Sequence, residues 1–366
     1  MASVNILDYE ILSSQGDLAK TLQKIKSQTT KISTKGEIPF YSFEKPIKQN
    51  QKSIYDALKT LVAKIVSRMD NNKRKSTAIL LGTSIIDWNL VDAINSCAYE
   101  YKKTPYNSQK TSIDTYAQNL SKEFGLNSFT MTINTACTSS ANALLEASNL
   151  INSGVVESVI VIGLEVYSPL MSDGFYKMEL ISSTHAKPFD KKRDGLVLGE
   201  ALGAMLVSKD SSKWSLLGGF SNCNSATITS VSSSGDECVE VMQEALDRVD
   251  LTSTDITAIK AHATGSTSND EAEINAISRV FDSDVDFTAL KPYIGHTIGA
   301  SGVVEIALFM ACIDDGFIPK TLFCSESILE TYEPLKEHKK CNSGTFMCNY
   351  FGFGGNNISL ILEKKI

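Results

Sequence analysis

Residues 128–141 read SFTMTINTACTSSA, and this stretch decides the fold class. Its first part is rich in Thr, Phe, Ile and Met, which is typical of a strand. The strand leads into TSSANALLEASNLINSG at 138–154, which predicts a helix with small residues in its first turn. A buried strand, VESVIVIGLEV, is predicted at 156–166. Alternation of strands and helices predicts an α/β protein.

The second half of the chain repeats this order of elements. DITAIKAHATGS at 255–266 predicts a strand that ends in a glycine-rich loop, and GHTIGASGVVEIALFMACIDDG at 295–316 predicts an apolar helix. Two further stretches, GLVLGEALGAMLVSKD at 195–210 and TFMCNYFGFGGNNISLILEKK at 345–365, each predict an antiparallel pair of strands that meet at glycine. The repeated order predicts two related α/β halves.

The two predicted halves divide the candidate site between them. Residues 1–212 carry Cys137, and residues 213–366 carry His262 and His296. Because many α/β folds alternate strands and helices, the pattern is equally compatible with a fold that is not duplicated.

The composition is that of an ordinary globular protein, with 366 residues of which 42% are hydrophobic and 21% charged. No stretch approaches the roughly 18 apolar residues that span a bilayer, and MASVNILDYEILSSQGDLAK does not have the pattern of a signal peptide. We therefore expect a cytoplasmic protein. Eight cysteines without a CxxC pair argue against a disulfide scaffold or a zinc finger. The net charge of −7 argues against nucleic acid as the main partner.

Cys137 lies where the predicted strand meets the start of a helix. Free backbone N–H groups and the helix dipole favour a negative charge there, so we expect the pKa of the thiol to be lowered. The neighbouring residues are small, which leaves room for a substrate carbonyl. Taken alone, Cys137 is better explained as a buried structural cysteine than as a nucleophile.

His262 and His296 lie among Gly, Thr and Ser, in AHATGSTSND and GHTIGASG. Either one alone is compatible with a structural histidine, but two of them and a helix-capping cysteine indicate one site. As metal ligands the three residues lack the local pair that zinc sites usually have. A cysteine hydrolase with one histidine as base stays open. So does a carbon–carbon bond-forming enzyme in which both histidines stabilise developing charge.

Five motifs, in order along the chain, resemble the β-ketoacyl synthase family that elongates acyl chains on an acyl carrier protein. They are TACTSSA (135–141), KPFDKKRDGLVLGEALGAMLV (187–207), AHATGSTSND (261–270), KPYIGHTIGASGVVE (291–305) and NYFGFGGNN (349–357). The resemblance implies the thiolase fold, with duplicated βαβαβ halves in five layers, α-β-α-β-α. It also implies an acyl carrier protein as partner and a dimer, formed with a second copy or with a related ketosynthase or chain-length-factor subunit.

The resemblance also implies roles for individual residues. Cys137 would take an acyl group from a carrier thioester, and His262 and His296 would promote decarboxylation of a malonyl thioester. Backbone N–H groups of Cys137 and Phe353 would form the oxyanion hole, and the Phe353 ring would separate the acyl and malonyl sites.

Further positions are implied to support this site. Lys291 and Glu305 match a buried charged pair that holds the histidines, with a purely fold-stabilising ion pair as the alternative. Residues implied to contact substrate are Thr264, Ser266, Phe351 and Gly354. No metal is implied, and no cofactor beyond the phosphopantetheine of the carrier protein.

The sequence departs from the family pattern in three ways. The chain is short before Cys137 and between Cys137 and His262. Ala263 stands where the family usually has Gly, which we expect to narrow the malonyl side. Glu179 stands where many members have a basic residue that meets the carrier protein. Local basic residues would then have to dock the carrier, and the candidates are Lys177, Lys191, Lys192 and Arg193.

Three functions follow from these motifs. The first is decarboxylative condensation of an acyl group with malonyl-acyl carrier protein, in fatty acid or polyketide synthesis. The second is a partner subunit that shapes chain length, favoured by Glu179, Ala263 and the short loops but opposed by the presence of Cys137. The third is another reaction on the same fold, such as thiolysis, ester formation or thioester hydrolysis. The acyl tunnel is expected near residues 85–115.

Overall fold

The computed structural model describes residues 3–85, 113–223, 233–282 and 285–365. The strands in these ranges are β1 (Val4–Ser13), β2 (Gly16–Asp17), β3 (Ser33–Lys35), β4 (Ile38–Tyr41), β5 (Thr77–Thr83), β6 (Thr130–Ile133), β7 (Ser158–Glu165), β8 (Leu198–Gly199), β9 (Ala201–Ser208), β10 (Trp214–Cys223), β11 (Ala258–Lys260), β12 (Asp286–Thr288), β13 (Phe317–Ile318), β14 (Lys339–Lys340), β15 (Gly344–Phe351) and β16 (Asn356–Lys364). The helices are α1 (Leu18–Lys26), α2 (Gln51–Arg68), α3 (Asp114–Phe124), α4 (Ser139–Asn152), α5 (Pro169–Lys177), α6 (Asp236–Asp247), α7 (Thr267–Val280), α8 (Lys291–Ile294) and α9 (Ser301–Asp314).

Two sets of five strands have the same topology. The first set lies in the order β6-β5-β7-β9-β1, and the second in the order β12-β11-β15-β16-β10. In each set the third strand along the chain pairs with the second and the second with the fourth, both in parallel. The fifth strand is antiparallel to the fourth and the first. The two sets join where Val4 of β1 faces Leu216 of β10. This duplication was predicted and is confirmed.

The first and second strand sets form the first and second sheets of the fold, and helices form layers on both sides of each sheet. Residues of α4 and α9 are buried together with residues from the inner faces of both sheets. The outer face of the first sheet packs on α2 and α3, and that of the second on α6 and α7. Every residue of α9 from Ser301 to Ile313 is buried, because the helix lies in the central layer, where no face meets water. The five-layer thiolase fold implied by the sequence is therefore confirmed.

The small residues at the start of α4 and α9 allow these two helices to approach each other closely. A Cβ atom on Gly302 would lie 2.1 Å from the backbone nitrogen of Ala141, so only glycine fits at this position. Ala141 and Gly302 lie in the first turns of α4 and α9. Their contact therefore brings together the segments that precede the two helices, which carry Cys137 and His296.

Of the two predicted strand pairs, one is confirmed and one is wrong. Strands β15 and β16 pair antiparallel through Phe351 and Asn357, as expected. The stretch 195–210 is not a hairpin, because β8 pairs in parallel with β4 in a separate small sheet, whereas β9 pairs with β1 and β7. The chain changes sheets at Glu200, whose buried carboxylate accepts hydrogen bonds from the N–H groups of Phe43 and Tyr167.

The division of the chain between residues 212 and 213 stays a proposal. It falls in the segment between the end of β9 and the start of β10, which belong to different strand sets. Within the described ranges, no helix combines the length and the apolar character that crossing a membrane requires.

Candidate active site

Cys137 lies in a short 3-10 turn, Ala136–Thr138, between β6 and α4. The side chain is buried. The preceding residue, Ala136, has φ of +53°, a left-handed conformation that costs energy in a residue with a Cβ atom. The glycine-rich loop passes against the cysteine, because a Cβ atom on Gly352 would lie 3.5 Å from the Cβ atom of Cys137.

His296 follows α8 and points its ring at the cysteine. Its Nε2 atom lies 3.1 Å from the Cys137 Sγ atom. On the other side of the ring, Nδ1 lies 3.4 Å from the Ser301 hydroxyl oxygen. The backbone is held on both sides, because the His296 N–H donates to the Val197 carbonyl and its carbonyl accepts from the Gly199 N–H.

His262 follows β11 and faces the same space. The centroids of the His262 and His296 rings are 5.4 Å apart, and the ring planes are nearly perpendicular. The backbone N–H groups of His262 and Ala263 each donate to the buried carboxylate of Glu273 at 2.7 Å. Lys291 donates to the His262 carbonyl at 2.6 Å, and its Nζ atom lies 3.5 Å from Nδ1. The His262 Nε2 atom is buried without a hydrogen-bond partner among the described residues.

Both imidazoles are neutral at physiological pH. Burial holds the pKa values of His262 and His296 well below the usual range, and the positive charges of Lys291 and Lys260 lower them further. An ammonium group only donates, so Lys291 requires His262 Nδ1 to be an acceptor. The proton of His262 is therefore on Nε2, the buried atom that has no hydrogen-bond partner among the described residues.

The Cys137 thiol is protonated in this arrangement. Burial raises its pKa to about 11, although hydrogen bonds from the Phe353 and Cys137 backbone N–H groups and the charge of Lys291 act in the opposite direction. The lowered pKa expected from the helix start is therefore wrong, because the loss of hydration outweighs the favourable backbone groups. The neutral His296 Nε2 atom is placed to accept the thiol proton.

Three charged side chains lie under the two histidines. Glu305 forms ion pairs with Lys291 at 2.8 Å and with Lys260 at 2.6 Å, and all three side chains are buried. Burial acts to raise the pKa of Glu305, but the two lysines outweigh it and hold the pKa below its ordinary value. The structure thus brings the predicted residues Lys291 and Glu305 together and adds Lys260 to them.

The glycine-rich loop contributes aromatic rings. Phe353 packs on the Phe175 ring at 5.6 Å between centroids and belongs to the same apolar cluster as Cys137. Phe351 is buried with its ring centroid 6.2 Å from that of His262. Gly354 is in the left-handed region, with φ of +83°, at the turn between β15 and β16.

The loop after His262 is shaped by a second buried carboxylate. Asp270 accepts hydrogen bonds from the backbone N–H groups of Thr264 and Gly265. The hydroxyls of Thr264 and Ser266 lie 2.9 Å from each other. Both residues are buried, so the loop holds this pair of hydroxyls in a fixed arrangement two and four residues after His262.

Ala263 has φ of +50°, which explains why glycine would fit this position. Its side chain belongs to the apolar cluster between the second sheet and its outer helices, and not to the cluster that contains Cys137. Its methyl group therefore adds to the core rather than to the cluster around the thiol.

Two of the four basic residues proposed for carrier docking are already engaged. Lys191 forms ion pairs with Glu326 at 2.7 Å and Glu330 at 3.3 Å. Arg193 donates to the backbone carbonyls of Ser266 and Thr267, which ties it to the loop that follows His262.

Sequence reasoning missed four buried charged residues around the site, namely Glu165, Lys260, Asp270 and Glu273. Lys260 had a signal, since it is a charged residue in an otherwise apolar strand two positions before His262. No local sequence pattern indicated the three carboxylates, because they accept hydrogen bonds from backbone N–H groups in loops or far away along the chain. The acyl-tunnel prediction falls mainly on residues 86–112, which lie outside the described residues.

Fold and site together define a thiolase-fold protein in which one cysteine and two histidines lie side by side. Residues 49–213 match the family described as Beta-ketoacyl synthase, N-terminal domain, and residues 215–325 match Beta-ketoacyl synthase, C-terminal domain. The chain belongs to the β-ketoacyl synthase family.

Relatives with curated names agree with this membership. The chain is 29% identical over 310 residues to 3-oxoacyl-[acyl-carrier-protein] synthase 2 of Vibrio harveyi, covering 78% of this chain and 75% of that protein. It is 32% identical over 253 residues to the protein of the same name in Rhizobium meliloti, covering 63% of this chain and 59% of the relative.

Solved structures agree in fold over the whole chain. A beta-ketoacyl synthase from Burkholderia phymatum superposes with a TM-score of 0.87 at 21% identity, with both chains fully covered. A ketosynthase from Xenorhabdus doucetiae, solved in complex with its chain length factor, superposes with a TM-score of 0.84 at 21% identity, covering all of this chain and 98% of that one.

Proposed function

We propose that this protein is a β-ketoacyl synthase that joins an acyl group held on Cys137 to a malonyl unit carried by acyl carrier protein. The observation that carries the proposal is the 3.1 Å contact between the Cys137 Sγ and His296 Nε2 atoms, beside the unpartnered Nε2 atom of His262. A thiol with a base in contact supports acyl transfer, and a free imidazole donor supports stabilisation of an enolate.

In the first half-reaction, His296 Nε2 takes the thiol proton and Sγ attacks the thioester carbonyl of the acyl-carrier substrate. The new C–S bond forms, the carrier thiolate leaves, and the proton passes from His296 to that thiolate. The negative oxygen of the tetrahedral intermediate is stabilised by the backbone N–H groups of Cys137 and Phe353. These two groups already act on the Cys137 sulfur in the free protein.

In the second half-reaction, the malonyl thioester loses CO₂ and the electron pair of the broken C–C bond moves to the α-carbon. The thioester oxygen becomes an enolate oxygen, which accepts a hydrogen bond from the Nε2–H group of His262, and His296 adds a second one in the tautomer that carries its proton on Nε2. The α-carbon then attacks the acyl carbonyl on Cys137. The C–S bond breaks, the β-ketoacyl carrier thioester leaves, and the Cys137 thiolate takes up a proton from water.

The remaining roles are proposed for the residues that support this space. Lys291 and Glu305 set the tautomer and position of His262. Thr264 and Ser266 offer hydroxyls to the phosphopantetheine arm, and Phe351, Phe353 and Gly354 shape the wall opposite the histidines. The carrier-bound arm delivers both substrates. That no separate cofactor is needed, and that the protein works in the cytoplasm, stay predictions.

A dimer is part of the proposal. Strand β6 lies at the outer edge of the first strand set, and its residues are half-buried. Within the described ranges no strand pairs with the outer side of β6, and an edge strand of this kind can continue its sheet into a second subunit. The partner subunit is a second copy or a related ketosynthase or chain-length-factor chain. A role purely as such a partner is the alternative function, and the assembled cysteine and histidines favour the condensing role over it.

The test is acyl loading followed by condensation. The purified protein is incubated with a short-chain or medium-chain acyl carrier protein, and its intact mass is measured, with Cys137→Ala as the matched variant. A gain of one acyl group in the parent and none in the variant, followed by a β-ketoacyl product when malonyl-acyl carrier protein is added, supports the proposal. Absence of loading with every acyl length, with or without a related synthase subunit, favours the partner-subunit role. Loading without a need for malonyl substrate favours another acyl transfer reaction.

A further inference from the structure

Lys260 is a buried cation close to the catalytic histidines. It ends β11, two residues before His262, and its side chain is fully buried. Its Nζ atom forms an ion pair with Glu305 Oε2 at 2.6 Å and donates to the Asn349 carbonyl at 3.0 Å. The same atom lies 3.6 Å from the centroid of the Tyr350 ring, within cation–π range.

Glu305 is shared between two lysines. Its Oε2 atom faces Lys260 and its Oε1 atom faces Lys291. Lys291 in turn donates to the His262 carbonyl and lies against His262 Nδ1. A continuous chain of contacts therefore runs from Lys260 through Glu305 and Lys291 to His262. With all three groups ionised, the cluster carries one net positive charge.

We propose that Lys260 is a positioning residue for the malonyl decarboxylation step, because it occupies one oxygen of Glu305 and thereby leaves Lys291 directed at His262. This inference rests on the proposed condensing function. Lys260 does not touch the reacting atoms, and it acts through Glu305 and Lys291.

The physical reason is competition for a buried carboxylate. A carboxylate without water needs cationic or hydrogen-bonding partners on both oxygens. If Lys260 were absent, both oxygens of Glu305 would attract the Lys291 ammonium group. That group would then move towards Glu305 and away from His262. Nδ1 of His262 would then lose the donor that keeps its proton on Nε2. The enolate oxygen would lose one preorganised hydrogen-bond donor.

The positive charge of the cluster has a second effect on His262. Besides burial, the charges of Lys291 and Lys260 lower the pKa of His262, and so does repulsion from His296 once that ring is protonated. The other titratable groups facing this region are Glu273 at its backbone, Glu305 behind Lys291, and the ring of Tyr350. Removal of the Lys260 charge therefore raises the pKa of His262. Protonated His262 would present an N–H group to the Lys291 ammonium and would lose this contact.

The experiment compares the two half-reactions in Lys260→Met and Lys260→Gln. Acyl loading of Cys137 is measured by intact mass, and decarboxylation by release of CO₂ from malonyl-acyl carrier protein. We expect decarboxylation to fall about 10- to 100-fold in Lys260→Met, the range typical when an outer partner of an active group is removed. Loading should change by less than about threefold, because Cys137 and His296 keep their contact. The acid limb of the decarboxylation profile should move to higher pH.

Lys364→Met is the matched control. Lys364 is also a largely buried lysine, with an ion pair to Asp314 at 2.9 Å and a hydrogen bond to the Ile313 carbonyl at 3.0 Å. Its Nζ atom lies 5.9 Å from the Trp214 ring centroid. It therefore matches Lys260 in the kind of contacts but lies outside the site. We expect this variant to change both half-reactions equally and to leave the pH profile in place.

Lys260→Gln keeps the inference testable if the Met variant does not fold, because the amide still donates to Glu305 or to the Asn349 carbonyl. A shifted acid limb in Lys260→Gln supports the inference. Two results would overturn the inference. One is a folded variant that decarboxylates at the parental rate with an unshifted pH profile. The other is a folded variant in which acyl loading and decarboxylation fall by the same factor. A failure of the proposed function is distinguishable, since the parent protein would then release no CO₂ at all.

Discussion

The Nε2 atom of His296 lies 3.1 Å from the Sγ atom of Cys137, and both groups are buried and uncharged in the free protein. The pair is therefore a neutral thiol beside a neutral base, and not a preformed thiolate–imidazolium pair. The thiolate and not the thiol is the reactive form, so the neutral cysteine reacts slowly with adventitious electrophiles in the free protein.

The first prediction concerns the reactivity of this thiol. Because its pKa is about 11, we expect the alkylation rate of Cys137 to rise about tenfold per pH unit from pH 7 to pH 10 without a plateau. Peptide-resolved mass spectrometry after iodoacetamide treatment separates Cys137 from the exposed Cys223. A plateau between pH 6 and pH 8 would show an ion pair and contradict the neutral state.

The second prediction separates the roles of the histidines. His262→Ala removes the unpartnered Nε2 donor but leaves the contact between Cys137 and His296. We expect malonyl decarboxylation to fall on the order of 100-fold or more, the usual cost of losing one donor to a developing oxyanion. Acyl loading should stay within a few-fold of the parent.

His338→Ala is the control for that measurement, since His338 is half-buried and accepts a hydrogen bond from the Lys320 N–H, outside the site. It should leave both half-reactions at the parental rate. If His262→Ala lost loading as severely as decarboxylation, the division of labour between the histidines would be wrong.

The third prediction is a pH dependence of stability. Burial raises the pKa of Glu165 to about 7, although it accepts hydrogen bonds from Ser84 and the Gly299 N–H. The unfolded chain releases this proton near pH 4.5, before the folded protein does, so stability is lost as the pH rises from about 4.5 to 7. This loss amounts to about 3 kcal/mol, because one pKa unit corresponds to about 1.4 kcal/mol.

Glu165→Gln tests this contribution. The three hydrogen bonds come from the Ser84 N–H, the Ser84 hydroxyl and the Gly299 N–H, and all of them go to the Oε2 atom of Glu165. A glutamine side chain has an oxygen that can accept them. We therefore expect the free energy of unfolding of the variant, relative to the parent, to increase by about 3 kcal/mol between pH 4.5 and pH 7.5. Denaturant titration at several pH values measures it. A constant difference across that range would show that Glu165 is ionised in the folded protein throughout.

The fourth prediction concerns the close contact between α4 and α9. Gly302→Ala would place a Cβ atom 2.1 Å from the Ala141 nitrogen, so the helices must separate. Overpacking of this kind costs about 1–3 kcal/mol. We expect a lower Tm and slower acyl loading, because Cys137 and His296 lie in the segments that precede these two helices.

Gly174→Ala in α5 is the matched control, since a Cβ atom there meets nothing within 4 Å. It should stabilise the helix slightly, as alanine does relative to glycine in helices. Parental loading in Gly302→Ala, with an unchanged Tm, would mean that the contact is not needed to align the two residues.

The fold was largely accessible from local patterns. Periodicity and glycine positions predicted most of the strands and helices around the site, and the repeated order predicted the duplication that the strand topology confirms. The failure at 195–210 has a physical reason. Gly199 lies just before β9, and a glycine at such a position favours a change of chain direction. Whether the chain then forms a hairpin or enters another sheet depends on which strands are available for pairing. Here the partners are β4 on one side and β1 and β7 on the other.

Residue types and spacing alone determined which side chains are available for chemistry, because a cysteine at a helix start and histidines in small-residue loops are local features. The tertiary structure decided their charge states. Burial of Cys137 raises the thiol pKa against the helix start, and Lys260, 45 residues from Glu305, adds a cation to the predicted pair. Desolvation and pairing depend on what the whole fold packs around each group, and a linear sequence does not carry that information in any one segment.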